Sequence, residues 1–148
     1  MNNWVKIPKF IQIFLFIFVS KSIFIFMNTY QANLLNSLAL ILMPLWSYFT
    51  YEATIEKPEQ SLTALIPLIL GFILLACNNG IRKENKTIAH IAVLVTLIAL
   101  LGLFMPLKAA IIDERILSVF RVGAMLVTGT IAMVIFIKSF IENRKKNL

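Results

Sequence analysis

"TIAHIAVLVTLIALLGLFMPL", residues 87–107, has His90 as its single ionisable group. A helix rises about 1.5 Å per residue, so crossing a hydrocarbon core of roughly 30 Å takes about 20 mostly apolar residues. This run has that length. Its apolar residues are continuous rather than alternating, unlike those of a membrane barrel strand. In lipid, only a helix would then satisfy its backbone amides.

Three other runs share this character. Residues 34–51, "LLNSLALILMPLWSYFTY", and 61–81, "SLTALIPLILGFILLACNNGI", carry no charge, and 116–137, "ILSVFRVGAMLVTGTIAMVIFI", is interrupted only by Arg121. Of the 148 residues, 59% are hydrophobic and 14% charged, where a soluble domain carries roughly 25% charged residues. A globule of this size lacks the volume to hide so much apolar surface. The expected fold class is therefore all-α: an integral membrane helical bundle with four core transmembrane helices within residues 28–148. Pro44, Pro67 and Pro106 fall within these runs or near their ends, where they are expected to kink or terminate helices.

The connections set the expected orientation. Between the second and third runs lies "GIRKENK", residues 80–86; with the C-terminal segment it places Arg82, Lys83, Lys86, Lys138, Arg144, Lys145 and Lys146 on one side. The opposite side has only Lys57, Lys108, Arg115 and Arg121. Basic residues mark the cytoplasmic side, so the C-terminus is expected there. Trp46, Tyr48 and Tyr51 then form an outer aromatic belt. The net charge of +7 is thus assigned to topology and membrane lipid. A nucleic-acid partner is not expected, because no broad basic face with polar support is present.

Residues 10–27, "FIQIFLFIFVSKSIFIFM", form a candidate fifth helix, but Lys21 lies inside the run and the flanking Lys6 and Lys9 would be left outside. A cleaved signal peptide, with "SKS" as its small-residue site, conflicts with the same charge pattern. Of residues 1–26, 17 are Phe, Ile, Lys or Asn, types that AT-rich codons specify. The segment is read as translated upstream sequence before a start at Met27, with a fifth or interfacial helix as the alternative.

Small residues recur on two runs. Ala89, Ala92, Thr96, Ala99 and Gly102 form a stripe on the third, and Ala124, Thr128 and Ala132 form one on the fourth, with Gly123 and Gly129 nearby. Such stripes let membrane helices approach closely, so these two faces are expected to pack together. Asn33, Asn36 and Ser37 are expected to cap the first core helix or bond across helices. Asn78, Asn79 and Gly80 read as a helix C-terminus.

Two intramembrane ionisable positions are candidate functional residues. His90 lies one turn into its helix, roughly opposite the small stripe. It is either a proton-relay or ligand group, or an interfacial imidazole reaching a headgroup or backbone carbonyl, and its place near the end favours the second. Arg121 is expected to pair with Asp113 or Glu114, hold an anion, or extend to the outer headgroups, the last being simplest. Cys77 stands alone in an apolar run, which offers no disulfide or zinc pairing. HExxH, GxSxG and GxxxxGK[ST] are absent. No catalytic residue, metal or cofactor is expected, and an enzyme is not expected.

Over residues 62–145, "TALIP", "RKENKTIAHIAV", "GLFMPLKAAI", "RVGAML" and "FIKSFIENRK" resemble a group of small uncharacterised bacterial multipass membrane proteins. That resemblance implies a bacterial inner (plasma) membrane and carries no activity with it. The expected function is a non-catalytic subunit or accessory partner of a membrane assembly. The alternative is a small homo-oligomeric transporter or channel, with His90 or Arg121 lining its path. Either makes the chain part of a homo- or hetero-oligomer.

Overall fold

The computed structural model describes residues 27–50 and 65–146. Among them are four helices: α1 (Thr29–Phe49), α2 (Ile66–Arg82), α3 (Lys86–Ile112) and α4 (Ile116–Lys146). The N-terminal run up to residue 26, Tyr51 and residues 61–64 lie outside the described residues.

Each of the first three helices starts on a local signal. The Asn28 backbone N–H, just before α1, donates to Gln31 Oε1 at 3.0 Å, half of a capping box. Pro67 occupies the first turn of α2, where its missing N–H has no intrahelical partner to lose. Asn85 Oδ1 accepts from the amides of Thr87 at 3.1 Å and Ile88 at 3.4 Å, capping α3.

The α2–α3 and α3–α4 turns repeat one device. The Asn85 amide donates to the Gly80 carbonyl and the Glu84 amide to the Ile81 carbonyl; Arg115 and Glu114 do the same to Ala110 and Ile111. Both are Schellman closures, with Glu84 (φ 56°) and Glu114 (φ 53°) in the left-handed position that glycine usually fills. This corrects the expected end of α2 at Asn78–Gly80, since the helix continues to Arg82. Gly80 is small for another reason: a Cβ there would collide with the Ile88 side chain of α3.

The tight turns reverse the chain, giving an up-and-down bundle. α1 packs against α2 and α4, and α3 fills the remaining place between the same two helices. α1 and α2 approach closely at Gly71, whose Cβ would lie 2.8 Å from Ile41 Cγ1 and 3.0 Å from the Ser37 carbonyl. The largest fully buried apolar side chains are Leu40, Leu74, Leu103 and Phe136, one from each helix.

The helices α1, α3 and α4 are long and apolar enough to cross a membrane; α2 is apolar but has 17 residues. α3 continues past Pro106 to Ile112, and Pro44 lies buried within α1, so neither proline terminates its helix. Proline removes one bond from a ladder that continues on both sides. On α3, Ala92, Thr96 and Ala99 are buried. Gly102, expected in the same stripe, faces outward, and a Cβ added there would have no neighbour within 4 Å. Its row has drifted off the contact face by that depth.

A non-glycine residue in the left-handed region costs about 1–2 kcal/mol, and glycine's greater freedom in the unfolded chain offsets about half of that. Glu84→Gly and Glu114→Gly should therefore each stabilise the bundle by about 0.5–1 kcal/mol. Thermal unfolding in detergent should show a raised midpoint for both. A lowered midpoint would mean that these carboxylates hold the turns through their side chains.

Candidate functional site

Spacings of three and four residues place Asn33, Asn36 and Ser37 on the inward face of α1, and all three are fully buried. Asn33 Nδ2 donates to the Leu74 carbonyl at 2.8 Å and to Asn78 Oδ1 at 3.2 Å, both on α2. Its own Oδ1 is buried without a partner. Ser37 Oγ donates to the Leu34 carbonyl at 2.8 Å, and Thr96 Oγ1 to the Ala92 carbonyl at 2.8 Å, each within its own helix.

One turn along α1, Asn36 meets α4. Thr128 Oγ1 lies 3.4 Å from Asn36 Oδ1, 3.1 Å from the Ala124 carbonyl and 3.0 Å from the Met125 carbonyl. A hydroxyl has one proton to donate, and its own helix offers the nearer acceptors. With Oδ1 towards Thr128, Asn36 Nδ2 is buried without an acceptor. The opposite amide orientation presents Nδ2 to the hydroxyl oxygen and leaves the carbonyl oxygen as the unpaired atom, which costs less, so it is the chemically preferred one.

Of the residues expected to join α3 to α4, Ala92, Thr96, Ala99 and Ala132 are buried, while Ala124 and Thr128 are half-buried. α4 divides this face between two neighbours. A Cβ at Gly129 would lie 2.8 Å from Leu100 of α3 and 3.5 Å from Asn36 Oδ1 of α1, and Thr128 turns to α1.

Arg121 is placed differently from its expected extension to the surface. It is only 8% exposed. Its Nη2 donates to Thr50 Oγ1 at 2.8 Å, and Thr50 Oγ1 donates onward to the Trp46 carbonyl at 2.8 Å. The guanidinium carbon lies 4.7 Å from the Trp46 ring centroid, within cation–π range, and Nε is buried without a partner. Asp113, a partner expected for Arg121, bonds instead to Arg115 at 2.9 Å. The antiparallel pairing of α1 with α4 explains the change, because it brings the end of α1 alongside the start of α4. Trp46, expected only in an interfacial belt, thus acts on Arg121 together with Thr50, a residue not among the candidates. The four-residue spacing of Trp46 and Thr50 on one face was the available signal.

His90 is exposed at the other end of the bundle. Its Nδ1 lies 2.6 Å from the Lys86 carbonyl; a carbonyl only accepts, so Nδ1 carries the proton in this contact. The ring lies 4.8 Å, centroid to centroid, from that of Phe140 on α4. The bundle thus separates His90 and Arg121 rather than bringing them together. Cys77 is half-buried with a free thiol. Among the described residues, no group of three or more His, Cys, Asp or Glu side chains could hold a metal ion.

Comparison with protein-family models, curated proteins and solved structures finds no match.

Removing the Trp46–Arg121 contact should reveal their coupling. A double-mutant cycle of Trp46→Leu and Arg121→Met should give a coupling energy of about 0.5–2 kcal/mol in unfolding measurements. Strict additivity would show that the ring does not hold the guanidinium.

Proposed function

We propose that the chain is an integral membrane protein, a bundle of four membrane helices serving as a non-catalytic subunit or accessory partner of a larger membrane assembly. The carrying observation is its inverted polarity. Asn33, Asn36, Ser37 and Thr96 are fully buried, while Leu94, Leu97, Ile98, Leu101, Phe104 and Met105 of α3 face outward. A contiguous apolar face of that extent is a liability in water and an ordinary surface in lipid. α2, with 17 residues, would reach roughly 26 Å, a shortfall that local bilayer thinning can meet.

The basic residues flanking α2, α3 and α4 support a cytoplasmic C-terminus. The sequence resemblance noted above supports a bacterial inner membrane. A structural rather than transporting role is supported by the packed centre: Leu40, Leu74, Leu103 and Phe136 are fully buried in the core, and the two ionisable candidates lie at opposite ends. The second reading, a small homo-oligomeric transporter or channel, is favoured by one observation, the buried Arg121 with its unpartnered Nε. Intramembrane cations of this kind often mark ligand or ion pathways.

Two linked measurements test the proposal. The protein should remain in the membrane pellet after alkaline carbonate extraction; release into the aqueous fraction would contradict a membrane-spanning bundle. Purification through a C-terminal tag in gentle detergent should then retain a different polypeptide in fixed stoichiometry. A homo-oligomer without any other polypeptide would favour the transporter reading.

A further inference from the structure

The end of the bundle that carries His90 opens into a cavity of about 770 Å³ between the ends of all four helices, within the size range of small-molecule sites. Arg82, Lys86, Arg144 and Lys146 line it, with Glu84 and Glu142 as its acidic residues. None of the four cations forms an ion pair among the described residues, whereas Glu142 lies 3.8 Å from Lys138. The cavity therefore holds an excess of two positive charges.

Its inner wall is apolar. Phe136 and Ile81 are buried there, and Phe140 lies against His90. Ser139, Asn143 and Tyr30 add neutral hydrogen-bonding groups. Two guanidinium forks can each engage a pair of phosphate oxygens, and ammonium groups add charge without directional demand. A basic rim above an aromatic floor suits an anion that carries an apolar portion.

From these features we infer that this cavity is a phosphate-binding site, whose ligand is the headgroup of an anionic phospholipid or a free phosphate. The inference rests on the membrane reading, which puts this mouth at the cytoplasmic headgroup level. Topology alone does not explain it. Orientation requires basic residues on one side but not their convergence around a cavity. Lys83 and Lys145 provide the internal control, since they flank lining residues in sequence but do not line the cavity.

The test uses the full chain in nanodiscs and native mass spectrometry. Phosphatidylglycerol should be retained over phosphatidylcholine by roughly thirtyfold, the scale set by two uncompensated cations near an anionic surface. Arg82→Gln/Arg144→Gln should abolish the preference, and Lys83→Gln/Lys145→Gln should leave it intact. If the lipids bind equally but inorganic phosphate raises the melting temperature of the wild type and not of the lining variant, the ligand is free phosphate. Equal losses in both double variants would overturn the site in favour of diffuse surface charge. Correct insertion with neither lipid preference nor a phosphate effect would overturn the site alone. Failure to enter nanodiscs would overturn the membrane reading beneath it.

Discussion

Asn33 sets the constraint on which the bundle depends. An amide that α1 turns into an apolar interior must find partners there, because a buried donor without an acceptor costs about 1–3 kcal/mol. It finds the Leu74 carbonyl and Asn78, both on α2. The two backbones can come that near because Gly71 has no side chain to hold them apart. One turn on, Asn36 makes the corresponding contact with Thr128 of α4. α1 is thus joined through side-chain amides to both of its neighbours, and tight turns attach α3 to the same two helices. Close packing at Gly71 and Gly129 selects which face of each helix meets its neighbour. The amides reinforce that choice.

The same arrangement leaves unsatisfied polar groups at known places. Asn33 Oδ1 and Arg121 Nε are buried without partners. An under-used carbonyl oxygen is tolerated more easily than a buried cationic donor, so Arg121 is the costlier group. Trp46 and Thr50 compensate in part, the ring through its electron-rich face and the hydroxyl through a directed bond. The two bundle ends consequently differ in chemistry. One holds a single enclosed guanidinium, and the other gathers several open cations around an aromatic floor.

Much of this fold was legible in the sequence because length and hydropathy are strong signals. All four runs correspond to described helices, although α3 and α4 extend past the expected ends at 107 and 137. Boundaries were less legible because the final turns carry polar residues whose helicity depends on local closure. Glutamate in a left-handed position, seen at both turns, has no compositional signature, whereas glycine at 80 suggested a stop that the chain does not make. At the candidate site, three- and four-residue spacing identified the buried face of α3 at Ala92, Thr96 and Ala99. It paired that face with α4 alone, whereas α4 divides its own small residues between α3 and α1. Thr128 turns to α1, and Arg121 lies against Trp46, because antiparallel closure of α4 on α1 brings together residues 71 or more positions apart. The Asn33, Asn36 and Ser37 cluster carried the clearest hint of that closure.

In the proposed membrane bundle, polar groups face inward and apolar side chains face lipid. Spin labels placed singly at Leu101 and at Asn36, in a Cys77→Ser background in reconstituted vesicles, test it most directly. Leu101 should be relaxed strongly by dissolved oxygen and little by a water-soluble nickel chelate, while Asn36 should be shielded from both. Ready access of the nickel chelate to Leu101, or strong oxygen relaxation at Asn36, would contradict it.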